Sequence, residues 1–289
     1  MPTPANVTVT NSVFGPDLAA QLDAQHELGI RHLDLKDALF GKGVIDLSDA
    51  EARAIVDQAG ERGMDVYCIS TVLFDDDAAR GERHFAEQHV ARIDEALRVA
   101  RILRPRWIRV MAAQSSGRAE GQPLAEHLET IPWLVDAYRE VIARVEAAGF
   151  ATILENEIDH GILRNPDDVD TLFGRISDAG TVRFTWDVQN LWETGSFPSL
   201  EVYERLRPHL GYVHVKGGRM HEGDPTLWKA RLRDASWPVA EILRAIAADG
   251  ASPIICINPC HGEVPPGGYD QRESAIDDIR FVQEVHAHV

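Results

Sequence analysis

The sequence predicts a single (β/α)8 barrel spanning residues 1–289. Three observations predict it. Strand-like and helix-like stretches alternate along the whole chain, giving eight strands that are each followed by a helix. Chemically distinctive polar residues gather at the carboxyl ends of those strands. The length suits one barrel, whose usual size is about 250 residues, and no low-complexity linker divides it.

The elements follow in order. Val7 to Val13 alternates as a strand, and Pro16 to Leu28 is a helix ended by Gly29. Arg31 to Lys36 (RHLDLK) is the second strand, after which Ser48 caps a helix running to Glu61. Asp65 to Thr71 is the third strand, followed by one long amphipathic helix from about Glu82 to Leu103 that stops at Pro105. Trp107 to Met111 is the fourth strand. Gln114 to Pro123 reads as loop and Leu124 to Ala148 as one helix closed by Gly149. Phe150 to Glu157 (FATILENE) is the fifth strand, and Asn165 caps a helix over Pro166 to Ile176. The sixth strand opens RFTWDVQNLWE, with Asn190 and Trp192 expected in the loop beyond it. A short helix over Leu200 to Leu206 precedes the seventh strand, Gly211 to Lys216 (GYVHVK). Arg219 to Trp237 shows no clean period and is expected to be mostly loop. Pro238 to Ala248 is a helix, Pro253 to Asn258 the eighth strand, Pro259 to Gly268 loop, and Gln271 to His286 the last helix. The rival, a doubly wound open sheet, lacks its Gly-rich fingerprint: the first turn is SVFGPD, and no GxxxxGK loop occurs.

Composition narrows the function. A net charge of -17 argues against a nucleic-acid backbone or an anionic membrane as partner. It leaves room for an anionic small molecule bound by a local basic cluster. Three cysteines, Cys68, Cys256 and Cys260, fit a reduced cytoplasmic protein rather than a disulfide scaffold. The spacing of Cys256 and Cys260 has no second pair to make a metal site of it. MPTPANVTVT lacks the basic and apolar regions of a secretory leader, and no apolar run is long enough to cross a membrane.

The strand ends carry the chemistry. In RFTWDVQNLWE, Phe184, Trp186 and Val188 share one parity, and Asp187 the other. Asp187 therefore points into the barrel at a strand terminus, as either a metal-site carboxylate or a helix cap. The fifth strand ends in Glu155 and Glu157, the seventh in His214 and Lys216, and the eighth in Asn258, with His261 and Glu263 beyond. Asp34 and Lys36 lie on the second strand and Arg109 on the fourth. Charges converging inside a barrel are costly unless paired or bound to a cation. A divalent metal on Glu155, Asp187 and His214 would offset that cost. Mixed carboxylate and imidazole ligands suit Mn²⁺, Mg²⁺, Co²⁺ or Zn²⁺. An internal salt-bridge network, Glu155 with Lys216 or Arg109, is the alternative.

ILENE, TWDVQNLWETG, YVHVKGG, SWPVAEIL and RHLDLKDALFGKGVIDLSDAE resemble the sugar phosphate isomerase/epimerase group of the xylose-isomerase-like TIM barrels. The resemblance covers nearly the whole chain. It implies a metal, Mn²⁺ foremost, bound by Glu155, Asp187 and His214, a carbohydrate substrate, and a homo-oligomer. Relatives of this kind place a Glu at the end of the eighth strand as the fourth ligand, and here Asn258 takes that position. An amide oxygen can bind a cation but cannot exchange a proton at a useful pKa, so symmetric two-carboxylate epimerisation is put in question. Glu263 or His261 could supply the missing group.

The resemblance implies proton removal next to a carbonyl of a sugar or keto-sugar, phosphorylated or not. Glu155 would be ligand and base, with Glu157 and His261 as further acid/base groups; the plainer role for Glu157 is an ion pair to Lys216 or Arg109. Lys216 joins the catalytic set, and Lys36, Arg109, Asn190, Trp192 and Glu263 are expected to bind substrate. The alternative is a metal-dependent lyase, a dehydratase or eliminating enzyme, which needs only one base. Apurinic-site endonucleases share the barrel but use a richer His/carboxylate set and a basic surface. A non-catalytic sugar binder would need no metal triad.

Overall fold

The apolar residues that alternate along the predicted strands lie between a barrel wall and its helices. The computed structural model describes residues 7–158 and 160–287. Residues 1–6, on which the expected absence of a leader partly rests, lie outside the described residues. The strands are β1 (Val7–Val9), β2 (His32–Leu35), β3 (Asp65–Ser70), β4 (Trp107–Met111), β5 (Ala151–Glu155), β6 (Val182–Asp187), β7 (Leu210–Val215), β8 (Arg219–His221), β9 (Asp224–Trp228) and β10 (Ile255–Ile257). All but β8 and β9 form one parallel sheet in the order β1-β10-β7-β6-β5-β4-β3-β2. A parallel bridge from Thr10 to Asp34 links its two edges.

The helices are α1 (Leu18–Glu27), α2 (Asp49–Glu61), α3 (Glu82–Phe85), α4 (Ile93–Leu103), α5 (Leu124–Leu128), α6 (Pro132–Ala147), α7 (Pro166–Ile176), α8 (Val188–Glu193), α9 (Leu200–Leu206), α10 (Val239–Asp249) and α11 (Gln271–His286). Their starts follow the capping chemistry in the sequence. Ser48 and Glu51 form a reciprocal capping box on α2, and Asn165 caps α7 ahead of Pro166.

Parity decides where each strand residue goes. Leu33, Leu35, Ile108, Val110, Leu154, Phe184, Trp186, Val213 and Val215 are buried in the main core, under the helices. Inward residues of the opposite parity close the barrel floor: Cys68, Trp107, Ile153, Tyr212 and Cys256, with Ile254, joined by Tyr67, the residue skipped where the β2–β3 register shifts. All three cysteines are free and buried. Above that floor stand Asp34, Arg109, Glu155 and His214, all buried.

Five expectations are corrected. The first strand is shorter, because buried Asn11 starts a 3-10 turn over Asn11–Phe14; its amide donates to Gln21 Oε1 (2.9 Å) and the Asp37 carbonyl (2.7 Å). The long helix from Glu82 is split by a π turn over Ala86–Val90, which places the ring of His89 against Phe74 and Phe85. The helix from Leu124 breaks into α5 and α6, since Pro132 lacks an N–H and begins a helix at its first position. The stretch Arg219 to Trp237 contains the β8–β9 hairpin, whose turn Glu222-Gly223 lies between the paired His221 and Asp224. Asn190 and Trp192 are likewise helical, on α8, rather than in a loop.

Candidate metal centre and active site

Three inward side chains meet at the mouth. Glu155, Asp187 and His214 each offer a ligand atom, and these atoms lie within 4.8 Å of one another. The sheet register brings them together: Asp187 pairs with His214 across β6 and β7, and Glu155 ends β5 beside Thr185.

Each of the three is oriented by its own partner. Glu155 Oε2 accepts from Arg109 Nη1, while Oε1 lies 2.8 Å from His214 Nδ1. Asp187 Oδ1 accepts the Asn190 N–H at 3.1 Å, which caps α8, and Oδ2 faces the cluster. Asp187 is thus the cap of α8, with its second oxygen turned toward the candidate cluster. His214 Nε2 has no hydrogen-bond partner and sits 3.5 Å from Asp34 Oδ2, within ion-pair reach though outside hydrogen-bond geometry. Asp34 is itself held by Ser70 Oγ (2.5 Å) and Tyr212 Oη (3.0 Å). A carboxylate behind the far nitrogen of an imidazole is the usual support for a metal-ligating histidine. Two carboxylate oxygens and His214 Nδ1 remain facing one centre, so the residues fit a divalent cation.

The same groups also balance one another by ion pairs. Lys216 Nζ reaches Asp187 Oδ2 (2.9 Å) and Asn190 Oδ1 (2.6 Å), and Arg109 Nη2 donates to the Thr71 carbonyl at 3.1 Å. Burial pushes the Glu155 carboxyl up, but Arg109 and then His214 outweigh it and hold it well below the usual range. Burial disfavours the His214 imidazolium, yet Glu155 and Asp34 raise its pKa to about 9. A metal taken up at this cluster would therefore displace a proton from His214.

The fourth expected ligand, Asn258, also stands at the cluster. Its Nδ2 donates to Asp187 Oδ2 at 3.2 Å, and its Oδ1 accepts from Thr10 Oγ1 at 2.6 Å. A turned amide would present Oδ1 to a cation, and the Thr10 hydroxyl would then accept instead of donate.

A cavity of about 100 Å³ opens onto the cluster. Lys36, Arg109, Glu155, Glu157, Asn190, Lys216, Asn258 and His261 line it together with Val72, Asp75, Met111 and Pro259. Glu157 Oε1 accepts from the Ile158 N–H (2.9 Å) and Asn190 Nδ2 (3.2 Å) rather than pairing with Lys216 or Arg109. Burial, and then the Glu155 charge, push its carboxyl up to about 7. Burial, helped by Lys216, pushes His261 down to about 4, so its imidazole is neutral. Two expected residues lie elsewhere. Trp192 packs edge-on against Phe197 at 5.3 Å, away from the cavity lining. Glu263 is exposed, with its backbone N–H bonded to Leu227 O and its carbonyl to Lys229 N, both at 2.8 Å.

Those two bonds join the loop after β10 to the hairpin as one roof. Gln189 ties it down, accepting the His261 N–H on Oε1 at 2.8 Å. Gly262, at φ 95°, lies so close to the hairpin that a Cβ would come within 2.4 Å of Leu227 O. A larger groove of about 420 Å³ lies outside, lined by Arg219, Trp228, Lys229, Pro265 and Tyr269 among others, and contains none of the strand-end groups.

Sequence reasoning missed Gln189, Asn156 and Thr10. Asn156 uses both amide atoms on the Asp187 backbone, at 2.9 and 3.0 Å, extending the β5–β6 ladder by one residue. The polar run ENE was the available signal; nothing local marked Thr10.

A second cluster, Asp76, His84 and His89, also brings three ligand atoms together. There, however, His89 Nδ1 accepts the Phe74 N–H at 3.0 Å. The neutral ring then carries its proton on Nε2, the nitrogen 3.6 Å from Asp76, leaving no lone pair for a metal. No helix among the described residues is long and apolar enough to cross a membrane.

Residues 22–285 match the family described as Xylose isomerase-like TIM barrel, and the chain belongs to it. No curated protein matches the chain in sequence. Among solved structures, it is similar to a Xylose isomerase-like TIM barrel protein from Mycobacterium smegmatis in complex with magnesium. That match has a TM-score of 0.72 at 17% identity and covers 98% of this chain and 97% of that one. D-psicose 3-epimerase with D-tagatose, from Clostridium cellulolyticum H10, matches with a TM-score of 0.71 at 13% identity, over 97% and 99%. The probable 3-DHS dehydratase AsbF from Bacillus anthracis, involved in petrobactin synthesis, matches with a TM-score of 0.70 at 12% identity, over 95% and 97%.

Proposed function

We propose that this protein is a divalent-metal-dependent enzyme that isomerises or epimerises a sugar or keto-sugar by moving a proton next to a carbonyl. The observation that carries the reading is the triad Glu155, Asp187 and His214, each with one atom turned to a group outside the triad and another facing a shared centre. Epimerases among the solved structures of this fold support it.

A cation held by the triad would polarise the substrate oxygens and favour negative charge developing beside the carbonyl. The chain's own groups do the rest. Glu157, pushed up to about 7, can take and return a proton near neutrality. Neutral His261 lines the same cavity from the β10 side and offers a second acceptor. Lys216, fixed by Asn190 and Asp187, presents its ammonium to a substrate oxygen. Arg109 keeps Glu155 ionised and in place.

One observation favours lyase chemistry instead, namely the neutral Asn258 at the expected carboxylate position. One metal-side carboxylate base suits a reaction with a single proton transfer. Solvent-deuterium exchange and epimerisation on a panel of ketoses, measured for the unmodified protein, Asn258→Glu and Glu263→Gln, separate the two. The one-base reading expects weak epimerisation that Asn258→Glu raises and Glu263→Gln leaves alone. Strong epimerisation in the unmodified protein, lost only in Glu263→Gln, contradicts it.

A further inference from the structure

Lys36 follows Leu35 at the end of β2 and shares the inward parity of Asp34, one layer further up the barrel. It is half-buried and lines the cavity. The other two lining cations have acids of their own: Arg109 has Glu155 and Lys216 has Asp187. The ammonium of Lys36 has no hydrogen bond or ion pair among the described residues; the residue bonds through its backbone, from its N–H to Asn11 Oδ1 and from the Val44 N–H to its carbonyl. The exposed Asp75 also lines the mouth and accepts from Gln114 Nε2 at 3.2 Å. A cation half removed from water without a partner loses hydration that nothing in the chain replaces.

Its position relative to the triad is set by topology. In the order β1-β10-β7-β6-β5-β4-β3-β2, β2 lies four strands from β6 in either direction round the closed ring. Lys36 therefore faces Asp187 across the mouth. A substrate that places its reacting oxygens on the triad extends its far end toward Lys36.

Resting on the function proposed above, we infer that the substrate is an acidic sugar derivative whose terminal anionic group, carboxylate or phosphate, pairs with Lys36. A charge-assisted bond made away from the reacting carbon orients the chain and selects acidic over neutral polyols.

Binding to Mn²⁺-loaded protein tests this, using D-xylonate, xylitol 5-phosphate and xylitol in calorimetric titrations. At least one anionic probe should bind about tenfold or more tightly than xylitol, and which one does identifies the group. Lys36→Met should bring that probe down to the level of xylitol, and Lys36→Arg should keep most of the preference, which rules out misfolding as the cause. Equal affinity for all three probes, or a preference that survives Lys36→Met, overturns the inference. Metal content is read on the same samples. Protein that takes up no metal yet keeps a Lys36-dependent preference refutes the metal-enzyme reading and upholds the anion subsite. Protein that binds metal and shows no preference refutes the subsite alone.

Discussion

Asp187 caps α8 with Oδ1, through the Asn190 N–H, and turns Oδ2 toward Glu155 and His214 of the candidate cluster. The cap fixes the carboxylate, so removing it should cost both the helix start and the metal. Glu157 is separable from that structural work, since its contacts are the Ile158 N–H and Asn190 Nδ2. Glu157→Gln should retain metal and fold while kcat falls by about 10²-fold or more, the usual contribution of a positioned acid/base group. Single-turnover kinetics with parallel metal analysis checks this; unchanged kcat would remove Glu157 from the chemistry. That Glu155, Asp187 and His214 face inward was legible from strand parity, which Glu157 and Lys216 share; which of these groups would hold a metal was implied by the resemblance. Gln189 and Thr10 were not legible, because their partners His261 and Asn258 are 72 and 248 residues away in the chain.

At the scale of elements, the 3-10 turn Leu232–Asp234 that follows the β8–β9 hairpin in the chain is tied to α11, where Asp278 accepts the Leu232 N–H at 2.7 Å. Burial pushes the Asp278 carboxyl up to about 7. The folded state therefore holds a proton that the unfolded chain releases near 3.8, its ordinary value. This stability is fully present below about 3.8 and is lost as pH rises to about 7; the loss is at most about 4 kcal/mol. Denaturant melts of the unmodified protein and Asp278→Asn between pH 5 and 8 isolate this residue. The unmodified protein should lose stability relative to the variant as pH rises, and parallel curves would contradict the assignment. The hairpin escaped the sequence reading because β8 has three residues, too few to show a period, although Glu222-Gly223 signalled a turn. The split helices escaped it for a related reason: an apolar stripe persists across a π turn or a proline start while the backbone hydrogen bonds change.

For the molecule as a whole, the barrel was legible because its core obeys one rule eight times. Outward residues of each strand face helices and inward residues form the floor and the site. What composition and pattern did not reveal is how far the interior charges balance without a cation. Arg109, Lys216 and a His214 raised to about 9 match Asp34, Glu155 and Asp187. A bound divalent ion must share the mouth with Lys216, which makes the location of metal the central question. Crystals grown with Mn²⁺ and measured at its absorption edge answer it most directly. The account predicts one anomalous peak within bonding distance of Glu155, Asp187 and His214 Nδ1, lost in His214→Ala. No peak there, or a peak at Asp76, His84 and His89 instead, would contradict it.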